Sequence, residues 1–358
     1  MGFKCGIVGL PNVGKSTLFN ALTKSKNAQA ANFPFCTIDP NIGVVTVPDD
    51  RLEKLSTIAK SEKIIPAYIT FVDIAGLVAG ASKGEGLGNK FLANIREVDA
   101  IIHVLRCFDS SEIQNVNKTV DPVRDLEIVE TEMMLADLES LEKRLSKKNK
   151  PGDPAKENNE LLKEIYEKLK QGIRPKEIIE KYDKKLIKTL QILSIKPRIL
   201  VCNVDEESLI KGNIYSNTVK DKFKNEVVIN ISAEIEQQIT ELKNEEALSF
   251  MKDLGLKESG LDQIIKAGYS ILNLSTFFTA GPKETHAWTI EKNTIAPDAA
   301  EVIHSDFKKG FIKAEVISYN DYVKFKGENG ARDNGKLRIE GKDYKVLDGD
   351  ILHFRFNT

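Results

Sequence analysis

The 358-residue sequence has only four cysteines, which lie far apart at Cys5, Cys36, Cys107 and Cys202. No two of them form a C-x-x-C pair, so the pattern argues against a zinc site and a disulfide framework and fits a reducing compartment. The sequence also lacks an apolar run near the ~20 residues that a membrane helix needs, and it shows no secretory signal. We therefore expect a cytoplasmic protein with no membrane contact.

An excess of either charge is also absent. The formal net charge is −1 although 29% of the residues are charged, so the two signs nearly cancel. Global electrostatics therefore do not indicate nucleic acid or a membrane as a partner, and any such contact must come from a local patch. The length and the hydrophobic content of 41% are typical of a globular chain with two or three domains.

What the sequence does contain, close to its start, is a predicted phosphate-binding loop. An apolar run at residues 3–8 predicts a strand, residues 9–16 match the pattern Gly-x-x-x-x-Gly-Lys-Ser, and residues 17–22 favour a helix. In that context the loop N–H groups and the helix N-terminus face phosphate, Lys15 reaches the β and γ phosphates, and the Ser16 hydroxyl binds Mg²⁺. A chance match is the alternative, expected on the order of once per hundred chains of this length. The strand–loop–helix order argues against it.

Two further segments have the pattern of nucleotide-dependent switches. The aromatic loop at residues 31–37 contains Thr37, whose hydroxyl would complete the Mg²⁺ shell when a γ-phosphate is present; an ordinary loop threonine is the alternative. A predicted strand at residues 64–73 ends in Asp73, which would hold the water shell of Mg²⁺, and Gly76 would let a backbone N–H approach the γ-phosphate. An Asp-x-x-Gly pattern is weak alone, but here it follows an apolar strand downstream of a phosphate-binding loop.

The region from residue 122 to residue 193 changes to a helical periodicity. Apolar residues recur at spacings of three to five along two segments, which a Pro-Gly-Asp-Pro break at residues 151–154 separates. The pattern predicts an antiparallel helical hairpin or short coiled coil inserted into the nucleotide-binding domain. The lysine cluster at residues 143–150, near the predicted tip, would suit RNA phosphates, although a solvated helix end explains it equally well.

Two strand ends predict loops that contact a base: one strand ends in Asn203, and the next ends in Ser232 and Ala233. The guanine-specific pattern is Asn-Lys-x-Asp, whose final carboxylate binds guanine N1 and the 2-amino group, but this chain has Val204 and Glu206 at the Lys and Asp positions. Adenine has no donor at N1 or C2, so the departure argues against guanine without proving adenine. Asn203 would still hydrogen-bond the N7 and N6 edge, while the Val204 backbone and the Ser232–Ala233 turn border the base.

The last segment, residues 275–358, reads as a separate unit. Several short predicted strands surround one helix-forming run at residues 296–305, which suggests a small ubiquitin-like sheet. No residue spacing in this segment is typical of a catalytic site. We interpret it as a binding module.

These blocks closely resemble those of the YchF family, the Obg-like ATPases within the translation-factor branch of P-loop GTPases. The resemblance covers essentially the whole chain, and its second-switch and C-terminal blocks are far more specific than the phosphate loop. The matching blocks are residues 9–17 (GLPNVGKST), 31–41 (ANFPFCTIDPN), 71–78 (FVDIAGLV), 80–89 (GASKGEGLGN), 203–206 (NVDE) and 304–307 (HSDF).

The resemblance implies an α/β fold: a P-loop NTPase domain of the Ras-like type, an inserted antiparallel helical hairpin, and a C-terminal ubiquitin-like β-grasp domain of the TGS type. Together with the patterns above, it places the nucleotide-binding domain at residues 1–121 and 194–274, the helical domain at residues 122–193 and the TGS domain at residues 275–358. It further implies a preference for ATP over GTP, a need for Mg²⁺, slow hydrolysis, and association with the ribosome or translation machinery. RNA contact would come through the hairpin or the TGS domain.

The motifs and the resemblance together assign four groups of site residues. The phosphate-binding residues are Asn12, Val13, Gly14, Lys15, Ser16 and Thr17. The catalytic residues are Lys15, Thr37 and Gly76, and the Mg²⁺ ligands are Ser16, Thr37 and Asp73. The residues at the base are Asn203, Val204, Glu206, Ser232 and Ala233.

Four positions bear on how hydrolysis would proceed. Members of the family replace the glutamine after Asp-x-x-Gly with an apolar residue, here Leu77, and a leucine cannot orient water. A partner or a K⁺ ion would then supply the positive charge. Asn12 in the phosphate loop matches GTPases that bind K⁺. Asn115 stands near the place where some members have a histidine proposed to help hydrolysis, and an asparagine cannot act as a base. Cys36, beside Thr37, is either a redox switch or an inert loop residue.

Three functions remain open at this point. The first is an ATP-hydrolysing switch, the second is a GTPase of the Obg type, and the third is a largely non-catalytic binding protein gated by ATP. Base discrimination separates the first two. Turnover measured with and without ribosomes and K⁺ separates the first from the third. We expect the ATPase.

Overall fold

The computed structural model describes residues 3–25, 41–74, 87–110, 119–146, 155–175, 178, 181–182 and 184–357. Its strands are, in chain order, β1 Lys4–Val8, β2 Ile42–Thr46, β3 Lys63–Ile65, β4 Tyr68–Asp73, β5 Ala100–Arg106, β6 Arg198–Asn203, β7 Val227–Ile231, β8 Leu274–Ala280, β9 Glu284–Glu291, β10 Phe311–Ser318, β11 Arg338–Glu340 and β12 Asp350–Phe356. Its α-helices are α1 Lys15–Lys24, α2 Asp50–Ala59, α3 Leu87–Glu97, α4 Pro122–Leu145, α5 Ala155–Lys170, α6 Lys184–Leu190, α7 Ile214–Lys222, α8 Ala233–Glu241, α9 Asn244–Asp253, α10 Gly260–Ile271, α11 Ala296–Ile303, α12 Ser305–Lys309, α13 Tyr319–Lys324 and α14 Glu328–Asp333. None of these helices is both long enough and apolar enough to cross a membrane.

The first of two sheets, the nucleotide sheet, has the strand order β2-β4-β1-β5-β6-β7. All of its pairings are parallel except that of β2 with β4. Strands β5 and β6 are buried at every position, as expected where helices cover both faces of a parallel sheet. Because the carboxyl ends of parallel strands meet at one edge, Val8, Asp73 and Asn203 are brought to the same edge, which is where sheets of this kind bind ligands.

Helices pack on both faces of the nucleotide sheet. Successive side chains of β6 alternate between two apolar clusters, because neighbouring residues of a strand point to opposite faces. Ile199 and Val201 belong to the same apolar cluster as Leu261 and Ile264 of α10, whereas Leu200 and Cys202 belong to the cluster that contains residues of α7 and α8. These helices fix the strands whose ends form the site.

The helical region consists of α4, α5 and α6 in the part that the structure describes. The single long helix α4 serves two cores: Val129 and Met133 pack in the core of the nucleotide sheet, while Leu141 packs with Leu161 and Ile165 of α5. This division confirms the predicted apolar stripe and explains its length. The first half of α4 anchors the region, and the second half forms the helical pair.

Buried ion pairs and caps hold this region to the nucleotide sheet. Asp137 on α4 accepts hydrogen bonds from the N–H groups of Leu193 and Ser194, at 2.9 and 2.8 Å. Arg198, at the start of β6, pairs with Glu226 at 2.5 Å and with Glu130 of α4. Since removing one member would leave a buried charge unpaired, these contacts specify one position for α4.

The second sheet has the order β11-β10-β12-β8-β9-β3. Strand β8 pairs parallel with β12 and antiparallel with β9, and β10 pairs antiparallel with both β12 and β11. Helix α11 covers one face through its alanines, over a core in which Phe277 meets Phe354 edge to face at 5.9 Å. This arrangement confirms the ubiquitin-like module.

Strand β3 corrects the prediction of one continuous strand at residues 64–73. Pro66 lacks an N–H and separates two strands, and the first of them leaves the nucleotide sheet. β3 pairs parallel with β9 instead, with Lys63 opposite Glu284 and Ile65 opposite His286. The second sheet therefore contains a strand from the first 121 residues, and the domain boundaries given above stay predictions.

Candidate functional site

The loop between β1 and α1 adopts a conformation that its glycines permit. Gly9 has φ of 153° and Gly14 has φ of 99°, values that disfavour other residues. A Cβ atom at Gly9 would lie 2.4 Å from the carbonyl oxygen of Val104, so the loop also needs the missing side chain for close packing on β5. Asn12, exposed in the loop, is also left-handed with φ of 63°. The backbone is thus shaped as expected of a phosphate-binding loop.

Lys15 is folded back onto this loop. Its ammonium donates a hydrogen bond to the carbonyl oxygen of Leu10 at 2.7 Å, and the residue is only 7% exposed. Burial lowers the pKa of Lys15 to about 8, and the nearby carboxylate of Asp73 opposes this shift. A group held this way carries a positive charge that the protein pairs incompletely, so an anion such as phosphate would be favoured beside it.

Ser16 and Asp73 face one another across the edge of the sheet. The Ser16 hydroxyl donates to Asp73 Oδ2 at 3.3 Å, while the buried Oδ1 has no hydrogen-bond partner among the described residues. Burial raises the pKa of Asp73, although Ser16 and Lys15 both act to lower it. A carboxylate with an unpaired oxygen next to a hydroxyl fits Mg²⁺, which prefers oxygen ligands and keeps several waters.

Asn203 connects the phosphate loop to the base side of the site. Its amide donates to the carbonyl oxygen of Val13 at 3.0 Å, and its oxygen accepts from the N–H of Ala233 at 3.0 Å. A Cβ atom on Gly14 would lie 2.3 Å from the Asn203 amide nitrogen, so the second loop glycine makes room for this contact. Asn203, which we predicted to contact the base, therefore links the phosphate loop to the start of α8.

The rest of the base side is held by local hydrogen bonds. The N–H of Val204 donates to the carbonyl oxygen of Ile231 at 2.7 Å, which places the two loops side by side. Ser232 caps α8 by accepting from the N–H of Ile235 at 3.4 Å. Glu206 is exposed at the start of a short 3-10 helix, Glu206–Ser208. Glu206 occupies the position of the aspartate that binds guanine in the Asn-Lys-x-Asp pattern. Its exposed side chain can either approach a base or remain in solvent.

Glu236 is a residue that sequence reasoning missed. It lies one turn into α8, is 1% exposed, and accepts hydrogen bonds from the N–H groups of Gly260 and Leu261 at 2.7 and 3.2 Å. Burial raises the pKa of Glu236 to about 7 even though both hydrogen bonds favour the carboxylate. The available signal was a charged residue between Ile235 and Ile239, both buried on the same helix.

Several predicted residues lie outside the part of the chain that the structure describes. These residues are Cys36, Thr37, Gly76, Leu77 and Asn115. The structure brings together Asp73, Asn203, Ala233 and the loop residues 12–17, and their roles toward a ligand stay predictions.

His103, in the middle of β5, is a buried polar residue in the core of the nucleotide sheet, at 1% exposure. Neither ring nitrogen has a hydrogen-bond partner among the described residues. Burial, reinforced by Arg198, lowers the pKa of His103 to about 3, so the ring is neutral at physiological pH.

A mostly parallel sheet, a glycine loop that leads into a helix, and a lysine, serine and aspartate at one edge define the class of P-loop nucleoside triphosphatases. Two family models match the chain: one described as 50S ribosome-binding GTPase over residues 4–136, and YchF-GTPase_C, described as a protein of unknown function (DUF933), over residues 274–357.

Full-length relatives narrow this class. The chain is 54% identical to the ribosome-binding ATPase YchF of Haemophilus ducreyi and 48% identical to that of Bacillus subtilis, in both cases over 100% of both chains. The solved structure of the Schizosaccharomyces pombe YchF GTPase is 40% identical and superposes with a TM-score of 0.87, covering 99% of this chain and 98% of that one. The protein belongs to the YchF family.

Proposed function

We propose that this protein is an ATP-hydrolysing switch that requires Mg²⁺ and associates with the ribosome. The observation that carries the proposal is the set formed by Lys15, Ser16 and Asp73, in which a buried cation and an incompletely paired carboxylate meet at one edge of the sheet. Bound phosphates and a metal ion would complete the pairing of these groups.

The phosphate end of the site binds and orients. The loop N–H groups from Asn12 to Thr17 hold the phosphates, and Lys15 exchanges its bond to Leu10 for a bond to a phosphate oxygen. Ser16, Asp73 and Thr37 would hold Mg²⁺, which when bound neutralises charge on the phosphate oxygens.

The motif that begins at Asp73 offers no side chain that positions the attacking water. Leu77 stands where GTPases of this class use a glutamine, and Asn115 cannot accept a proton as a histidine would. The N–H of Gly76 would approach the γ-phosphate, but it orients no water. We therefore propose slow intrinsic hydrolysis that rises when a partner, or K⁺ held with the help of Asn12, supplies the missing group.

The choice of ATP over GTP rests on the base side. Val204 and Glu206 replace the lysine and aspartate that read guanine, and Asn203 keeps one amide hydrogen beyond its bond to Val13 for the base. Bacterial relatives carry the name ATPase, whereas the fission yeast relative is called a GTPase. A GTPase of the Obg type is therefore the second candidate.

The partner is proposed from the relatives, whose names describe them as ribosome-binding. This partner would place the protein in the cytoplasm. Contact with ribosomal RNA would use the helical region or the ubiquitin-like module. A third candidate, an ATP-gated binding protein with little turnover, shares the same partner and differs only in rate.

Titration with labelled ATP and GTP in the presence of Mg²⁺ tests the proposal. We expect ATP to bind at least tenfold more tightly, a difference of about 1.4 kcal/mol, and turnover to rise when ribosomes and K⁺ are added. The double variant V204K/E206D restores the guanine-reading pattern and should move the preference toward GTP. Tighter GTP binding by the wild type would replace the ATPase with a GTPase, and tight ATP binding without turnover under any condition would favour the non-catalytic candidate.

A further inference from the structure

The segment between β2 and β4, residues 47–67, leaves the nucleotide sheet and joins the second sheet. We call it the connector; it contains α2 and β3. Its two ends meet where the N–H of Val47 donates to the carbonyl oxygen of Ala67 at 2.8 Å. The flanking strands span the distance to the site, because the connector joins them at Thr46 and Tyr68 while their other ends, Ile42 and Val72, lie beside Asp73.

The far end of the connector is built into the second sheet as a strand. Beyond the β3–β9 pairing, the N–H of Glu62 donates to the carbonyl oxygen of Pro282 at 2.9 Å. The Ser61 hydroxyl lies 2.7 Å from both the carbonyl oxygen of Gly281 and the buried hydroxyl of Thr285. A movement of β3 along its axis would break this whole row of bonds.

An ion pair forms a second attachment. Arg51 on α2 is held by Asp49, and its guanidinium donates to Asp348 Oδ2 at 2.6 Å while lying 5.1 Å from the ring centre of Phe278. The other oxygen of Asp348 accepts from the N–H of Thr276 on β8 at 2.8 Å. Arg51 thus reaches the backbone of the central strand of the second sheet through one carboxylate.

Apolar contacts make these attachments continuous with the site. Leu52 and Leu55 of α2 belong to the same buried cluster as Ile7 and Val8 of β1 and Phe278 of β8. Packed cores have discrete arrangements and deform little within each one, so a continuous cluster of this kind offers a physical route for coupling between its two ends.

We infer that the connector couples the nucleotide site to the second sheet, so that ligand at Asp73 and a partner on the second sheet alter one another's affinity. The inference rests on the proposed function, because it needs a nucleotide that engages Asp73. By linkage, any effect of nucleotide on the second sheet must be returned by the partner as an equal effect on nucleotide affinity. A connector that is only a structural brace would show neither effect.

Hydrogen exchange of the full chain, with and without saturating ATP and Mg²⁺, tests the inference. In the wild type we expect slower exchange in peptides that cover β8 and β9, which contribute no residue to the candidate site. The variants R51A and D348N should bind ATP within twofold of the wild type yet lose at least two thirds of that change in exchange. D348N keeps an oxygen for Thr276, and its partner Arg51 is 27% exposed, so both variants should fold.

R355A is the matched control, because Arg355 pairs with Glu315 inside the second sheet and does not touch the connector. It should transmit the change in full. Saturating ATP that leaves β8 and β9 unchanged in the wild type would overturn the inference and leave the ATPase proposal standing. Full transmission in both R51A and D348N would overturn the role of the Arg51–Asp348 attachment and assign the coupling to the β3–β9 pairing. If neither ATP nor GTP binds, the proposed function fails, and the inference fails with it.

Discussion

The two ends of the candidate site differ in how completely their polar groups are paired. At the phosphate end, Lys15 is turned back onto a carbonyl of its own loop, and one buried oxygen of Asp73 has no hydrogen-bond partner within the described segments. At the base end, both ends of the Asn203 amide are used, and the adjoining helix is capped by Ser232. The phosphate end therefore depends on a ligand to pair its polar groups, whereas the polar groups of the base end are paired within the folded protein.

This difference predicts that substitutions at the phosphate end change binding more than folding, and that substitutions at the base end change folding as well. Unpaired buried groups cost free energy until a ligand pairs them, so removing such a group costs the nucleotide-free protein little. Removing a member of a completed network leaves its former partners unpaired.

Replacing Lys15 has the largest expected effect. K15A should reduce nucleotide turnover and affinity by about 100-fold or more, because one charge aimed at the transferred phosphate is lost. The free energy of unfolding without nucleotide should change little, since a buried ammonium with a lowered pKa is removed as well. Single-turnover assays and urea denaturation measure the two quantities.

K163A, which removes an exposed lysine of α5, is the control and should match the wild type in both assays. If K15A keeps turnover within threefold of the wild type, the phosphate end is not where we place it. A large loss of stability in K15A would instead break the comparison between the two ends.

Replacing Asn203 tests the base end. N203A leaves the carbonyl of Val13 and the N–H of Ala233 unpaired, so the free energy of unfolding should fall by about 3 kcal/mol even without nucleotide. Urea denaturation of the nucleotide-free protein measures this loss. The exposed Asn217 on α7 offers a control, since N217A should stay within about 0.5 kcal/mol. Equal stabilities for N203A and the wild type would show that the hydrogen bonds at the base end contribute no more to folding than those at the phosphate end.

The phosphate end was the part most open to prediction, because its features are local in sequence. The glycine pattern at residues 9–16 specifies a loop conformation within eight residues, and Asp73 follows directly from the end of an apolar strand. The Lys15–Leu10 bond was not predictable. It depends on how the loop folds around its own lysine, which no residue spacing encodes.

Long-range pairings account for what sequence reasoning missed. Glu236 is buried because α10 begins against it, twenty-four residues later. β3 leaves the nucleotide sheet because β9, more than two hundred residues away, offers a free edge, and the sequence marks only the break at Pro66. Strand ends and helical stripes could therefore be predicted, but their partners could not.

Replacing Asp73 should have two opposite effects: it should weaken Mg²⁺ binding and stabilise the nucleotide-free protein. D73N should weaken Mg²⁺ binding about 10- to 100-fold, as loss of an oxygen that holds the metal's waters does. The same change should raise the melting temperature of the nucleotide-free protein. Burial raises the pKa of Asp73 in the folded protein above its value in the unfolded chain, so ionisation of this carboxyl destabilises the fold as the pH rises above the unfolded-state pKa.

Calorimetric titration with Mg²⁺ and nucleotide, together with thermal melts, measures both effects of D73N. D253N changes an exposed aspartate on α9 and should alter neither. A lower melting temperature for D73N would mean that the carboxylate is already satisfied without metal, which would remove the contrast with Asn203.

The smallest effect concerns Glu236, which makes the base end sensitive to pH. Since its pKa is raised from 4.5 to about 7, the folded protein binds its proton more tightly than the unfolded chain does. Stability from this group is therefore full below pH 4.5 and falls as pH rises toward 7, by about 2 kcal/mol between pH 5 and pH 7. E236Q should flatten this dependence, as measured by urea denaturation at pH 5, 6 and 7.

E234Q, an exposed change two residues earlier on the same helix, is the control and should keep the slope of the wild type. Equal slopes for E236Q and the wild type would mean that the hydrogen bonds from Gly260 and Leu261 outweigh burial and hold the carboxylate ionised in the folded protein. In that case the hydrogen bonds at the base end are sufficient to stabilise the buried charge of Glu236. A flattened slope would instead show that hydrogen bonding alone does not complete a buried network, because the charge on Glu236 remains unpaired at neutral pH.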